Sequence, residues 1–92
     1  MRVYNMEDSE KKYSKQLIGK TVVSKSGRTF GEVGDLIFET NSGELIHIVL
    51  DNPTANAKKL ELEKTKQGDA LIPFSAVIAM GDYLVVAEED II

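Results

Sequence analysis

The residues able to do chemistry are few. The chain of 92 residues holds one histidine, His47, and no cysteine. Without cysteine there are no disulfides, thiolate nucleophiles or sulfur-ligated zinc and iron. A lone histidine can act as an acid–base group or bind a metal. The first role needs an orienting carboxylate and a nucleophile beside it, and the second needs two further ligands. The available acids, Asp35, Asp51 and Asp82, are scattered and fall at the ends of apolar runs, where Asp ordinarily accepts hydrogen bonds from turn N–H groups. None pairs with a second carboxylate at a defined separation, as glycoside chemistry requires. Glu88, Glu89 and Asp90 lie together, but no calcium-binding loop surrounds them. The expectation is a chain with no catalytic residue, no cofactor and no metal.

One stretch raises a sharper question. "GRTFGEVGDLIF" (residues 27–38) sets three glycines in eight positions. A dinucleotide fingerprint needs G-x-G-x-x-G between a strand and a long helix, so that the pyrophosphate meets the helix N-terminus. Here Gly31 and Gly34 form only G-x-x-G, and Ile37, Phe38 and Thr40 after them favour strand over helix. No G-K-[ST] ending suggests a P-loop. The glycines therefore read as fold punctuation: Gly27 in a turn, Gly31 and Gly34 at a bulge or a close crossing of strands.

The elements that position these residues follow from local pattern. "LIGKTVV" predicts a first strand from Leu17, and "SKSGRT" a hairpin turn. "FGEVGDLIFET" predicts a second strand, closed by a tight turn at Asn41, Ser42 and Gly43. "ELIHIVLD" is apolar on both faces, with Ile46, Ile48 and Leu50 on one side and Leu45, His47 and Val49 on the other. Asn52-Pro53 ends it. Residues 52–59 read as loop, and "KLELEKTKQGDALIPF" (59–74) as a further hairpin, its first arm alternatively irregular or helical. Pro73 removes a ladder donor, so "FSAVIAMG" is expected to be one helical turn with Ser75 as N-cap and Gly81 as stop. "DYLVVAEE" is the last strand. The fold class is all-β: a small barrel of five to six short antiparallel strands with one short helical turn before the last.

Composition bounds the partners. With 42% apolar and 28% charged residues, the chain reads as one globular, soluble domain at residues 14–92, after a flexible N-terminal arm at 1–13. The net charge of −4 and the mixing of Lys58, Lys59, Lys64 and Lys66 with Glu61 and Glu63 argue against nucleic acid. No run is long enough to span a bilayer, and the expected compartment is the cytoplasm.

The order Leu17-x-Gly19, Val22, Gly27, Gly31-x-Val33-x-Asp35, Gly43 and "LIPFSAVIAMGDYLVV" resembles the PRC-barrel family. The resemblance covers residue 14 to about 88. That family includes the cytoplasmic domain of the photosynthetic reaction-centre H subunit and the C-terminal domain of the ribosome maturation factor RimM. The stand-alone form looks most like short archaeal members of the CdpB type. The resemblance implies a non-enzymatic adaptor in FtsZ-based division, recruited to the division site at the membrane through the anchor SepF or a second PRC-barrel protein. A RimM-like ribosome-assembly role is the alternative. The resemblance also marks Gly19, Gly27, Gly31, Gly34, Asp35, Gly43, Pro73 and Gly81 as fold-defining. The apolar outer face of residues 45–50 must be covered, and a homodimer is one cover. Leu45, His47, Val49, Ile91 and Ile92 are the candidate interface.

Overall fold

The computed structural model describes residues 16–91. The expected arm and Ile92 lie outside the described residues. Six strands form one sheet: β1 (Thr21–Ser24), β2 (Thr29–Phe38), β3 (Leu45–Asp51), β4 (Leu71–Pro73), β5 (Val77–Met80) and β6 (Tyr83–Val86), in the order β4-β3-β2-β1-β6-β5. A one-turn helix, α1 (Ala55–Lys58), and 3-10 turns at Phe74–Ala76 and Glu88–Asp90 complete the chain.

Curvature follows from chain geometry. A flat six-stranded sheet would hold its edge strands about 24 Å apart, five spacings of about 4.8 Å. The two edges, β4 and β5, are joined only through Phe74–Ala76. Four residue steps reach at most about 14 Å. The sheet must therefore curl until its edges approach, which makes it a small β-barrel rather than an open layer. The curl encloses Phe30, Val33, Leu36, Ile48, Leu50, Ile72, Leu84 and Val86, all buried. Each large apolar side chain fully withdrawn from water contributes about 1.5 to 3 kcal/mol.

The glycine stretch supplies the bend. Register shifts break the β2 ladder between Val33 and Asp35 opposite β3, and between Gly31 and Thr29 opposite β1. Gly34 is thus the extra residue of a bulge, and Phe30 the extra residue of another. The first bulge is what lets Val33 and Leu36, three apart, both face the core. The segment after β3 crosses β2 here. A Cβ on Gly31, whose φ is +147°, would lie 2.8 Å from the Asp51 carbonyl oxygen. A Cβ on Gly34 would lie 2.8 Å from the Asp51 Cβ. The crossing is pinned by the Thr54 N–H, which donates to the Phe30 carbonyl at 3.0 Å, and by the Thr54 Oγ1, which donates to the Thr29 carbonyl at 2.6 Å.

The structure departs from the local reading in four places. Gln16 and Leu17 are helical, not extended, because Leu17 is buried and the positive φ of Gly19 turns the chain before β1 begins. Residues 52–67 contain α1, N-capped by Thr54, whose hydroxyl accepts from the Ala57 N–H. The predicted hairpin there shrinks to a single bridge between Lys64 and Ala70. The helical turn is confined to Phe74–Ala76, with Pro73 rather than Ser75 at the N-cap. Val77–Met80 is instead strand β5, since β-branched Val77 and Ile78 gain more by pairing with β6 than by extending a 3-10 turn. Gly81 accordingly ends a strand, not a helix.

The strands are also not all antiparallel. β6 runs parallel to β1, with Val22 opposite Leu84 and Val23 opposite Val85. The 3-10 turn carries the chain from β4 to β5 without reversing it, so the β5–β6 hairpin returns in the same sense as β1.

Replacing Gly31 with alanine should cost about 3 kcal/mol or more, because the obstructing atoms are backbone and the φ is left-handed. Gly81→Ala, which meets nothing within 4 Å, should change stability by no more than about 0.5 kcal/mol. Denaturant unfolding of both variants measures the contrast.

Candidate functional site

The residues that might have done chemistry are not brought together. Asp35 Oδ1 accepts from the Leu36 N–H at 2.8 Å, so this carboxylate steadies the bulge. Asp51 Oδ1 accepts from the Asn52 N–H at 3.1 Å at the strand end. His47 is paired in the sheet with Ile37 and Pro73. Its Nε2 lies 3.7 Å from Glu63 Oε2, too far for a hydrogen bond. Among the described residues, no three His, Asp or Glu side chains gather as metal ligands.

The candidate interface divides. Leu45 and Ile91 pack against the core from its margin. Val49 and His47 are half-buried on the outer face. Beside Val49 runs a groove of about 590 Å³, lined by Asp35, Ile37, Phe38, Val49 and the turn at 65–69. That turn is stiffened locally: the Thr65 N–H donates to the Asp69 carbonyl at 2.9 Å, and the Asp69 N–H to Thr65 Oγ1 at 3.1 Å. The apolar outer face of β2 and β3 is therefore partly walled by the chain itself. A second hollow of about 480 Å³ lies under α1, with an apolar floor of Leu50, Pro53, Ala57 and Leu62 and a rim carrying Lys58 and Lys64 beside Asp51, Glu61 and Asp69.

Local reading missed the β5–β6 hairpin. Ile78 is 52% exposed, Tyr83 56% and Met80 46%. The signal was present in β-branched Val77 and Ile78, but Pro73 and Gly81 around them suggested a helical turn. A second missed feature ties the β1–β2 turn to the segment after β6. Lys25 Nζ donates to Glu89 Oε1, the Lys25 N–H donates to the Val86 carbonyl at 3.1 Å, and Ser26 Oγ donates to Glu88 Oε1 at 3.1 Å. The β1–β2 turn is thereby clasped to the acidic 3-10 turn Glu88–Asp90.

With this geometry in view, the family is settled. The model of the PRC-barrel domain matches residues 9–90, so the chain belongs to the PRC-barrel family. PRC-barrel domains are in general non-catalytic modules that mediate protein–protein contacts. No curated protein matches the chain. Among the described residues, no helix is long and apolar enough to cross a membrane.

The clasp has a pH signature. Glu89 is held below the ordinary carboxylate range, first by the hydrogen bond from Lys25. Lys25 is raised above the ordinary lysine value by the same bond. Folding therefore discourages protonation of Glu89, and its contribution is present at neutral pH and lost as pH falls through the depressed titration. The lysine contribution holds through neutrality and disappears only as pH rises through its raised value. Both groups are solvent-screened, so the effect is small. Wild type should melt slightly above Glu89→Gln at pH 7, with the difference vanishing below the carboxylate range; a difference that persists in acid would show the clasp is not electrostatic.

Proposed function

We propose that this chain is a non-enzymatic adaptor that binds protein partners in archaeal FtsZ-based cell division, through a SepF-type membrane anchor or a second PRC-barrel protein. The supporting observation is the groove on the outer face of β2 and β3, where Ile37 and Val49 line a hollow walled by the polar turn at 65–69, beside Phe38, which packs against the core. A barrel needs only one apolar face, and an apolar outer face of this kind gains free energy when a partner covers it. The acidic net charge of −4 disfavours the alternative, a RimM-like factor working against RNA. The division setting comes from the resemblance of the chain to stand-alone archaeal members. Partner-binding, self-association and recruitment from the cytoplasm to the division site belong to this reading.

The test is affinity capture from native archaeal cells with the full chain as bait, scored for division proteins against ribosomal proteins. Division proteins should be enriched on wild type and lost on Val49→Glu, while the variant keeps its far-UV spectrum and unfolds cooperatively. Enrichment of ribosomal proteins alone would favour the assembly-factor reading.

A further inference from the structure

We infer that the groove beside Val49 takes a basic segment of a partner protein, with an aliphatic or aromatic side chain seated on Ile37 and Val49 and flanked by lysine or arginine. The inference rests on the adaptor reading above and names the chemistry of the chain that the groove would hold.

Strand register decides which charges surround the groove. Val49 pairs with Asp35 of β2 on one side and with Leu71 of β4 on the other. Directly opposed side chains share a face of the sheet, so Asp35 stands on the outer face with Val49. Two residues along β3, Asp51 returns to that face, where it pairs with Glu32 of β2. The β3–β4 register continues past its last strand pair, because the Leu50 N–H donates to the Ala70 carbonyl at 2.9 Å. Asp51 therefore stands opposite Asp69. Beyond β4, the bridge of Lys64 to Ala70 and the bond from the Leu71 N–H to the Glu63 carbonyl set Glu63 level with Leu71 and Val49. The approach of His47 Nε2 to Glu63 Oε2 places both on the outer face.

The carboxylates of Glu32, Asp35, Asp51, Glu63 and Asp69 thus ring Val49, and against them the residues lining the groove include one lysine, Lys66. Like charges opposed across a ladder raise the free energy of the sheet, and a cation set between them lowers it. Among the described residues, Glu32, Asp51 and Asp69 have no ion-pair partner. Glu32 Oε1 accepts from Asn52 Nδ2 at 3.0 Å and Asp51 Oδ1 from the Asn52 N–H at 3.1 Å. Both donors are neutral, so the negative charge remains.

The apolar floor is narrow, since Ile37 and Val49 are half-buried and Phe38 packs against the core. Selectivity therefore falls to the charged rim. A second copy fits this rim poorly. A two-fold contact sets a patch against itself, which here opposes carboxylates to carboxylates on a chain whose net charge is already −4. A nucleic acid is repelled for the same reason. A basic protein segment satisfies floor and rim together.

A random peptide library displayed on phage and panned against the full chain reads the preference. Enriched sequences should set Lys or Arg beside an aliphatic or aromatic residue. The tightest of them, made synthetically, should bind less well as salt rises from about 0.1 M to about 1 M, because the screening length falls from about 10 Å to about 3 Å. Asp69→Lys and Glu63→Lys, both at exposed positions, should each weaken it about fivefold or more with the melting temperature unchanged. Enriched sequences without basic bias, a peptide that binds both variants undiminished, or no peptide retained at all would each overturn the inference. So would self-association that both variants abolish, which would give the groove to a second copy. Basic peptides that bind only a Lys11→Glu, Lys12→Glu chain would overturn it too, by giving the groove to the chain's own basic stretch. Capture of division proteins alongside peptides of no basic bias defeats this inference alone. Basic peptides selected by a chain that captures no division protein defeat the division setting alone.

Discussion

Where the segment after β3 passes over β2, the Asp51 and Asn52 carbonyl oxygens and the Asp51 Cβ occupy the volume that side chains at 31 and 34 would fill. This crossing is the constraint on which the barrel depends. It can exist only with glycine at both positions. The bulge at Gly34 then changes which side chains face inward, bringing Val33 and Leu36 to the same interior. It also bends β2, the longest strand, enough for the far edges of the sheet to be joined by three residues. Thr54 locks the crossing by capping α1 and hydrogen-bonding to the Thr29 carbonyl with the same hydroxyl. Backbone proximity, local curvature, core composition and the placement of α1 are one linked arrangement.

Closing so small a barrel consumes most of the apolar residues but not all. The interior is filled by Phe30, Leu36, Ile48, Ile72 and Leu84, none more than marginally exposed. What remains outside collects in two places of different character. The outer face of β2 and β3 is walled by the turn at 65–69 and forms a groove. The β5–β6 hairpin carries Ile78, Met80 and Tyr83, each about half exposed.

The titratable groups are consistent with this division of labour. Asp35 and Asp51 are engaged with backbone N–H groups at a bulge and a strand end, and Lys25 and Glu89 clasp the β1–β2 turn to the turn after β6. Charge here serves backbone geometry and tethering. Membership of the PRC-barrel family accords with it, since its members work in general through contacts between proteins.

The chain's local chemistry was enough for the class of fold, the tight turns, β2 and β3, and the role of the central glycines. Each of these depends on residues near in sequence: alternating apolar positions, Asn-Ser-Gly turns, and glycines followed by β-branched residues. It was also enough to reject a phosphate cradle, because the helix that such a cradle needs is absent from the pattern after Gly34. Three matters were beyond it. Residues 77–80 read as helical turn because Pro73 and Gly81 dominate their surroundings; only pairing with β6, itself held against β1, makes them a strand. The parallel match of β6 with β1 joins residues about sixty apart, and no local pattern encodes it. The exposure of Ile78 and Tyr83 on that hairpin is likewise decided when distant strands meet and compete for the same core, not within any one segment.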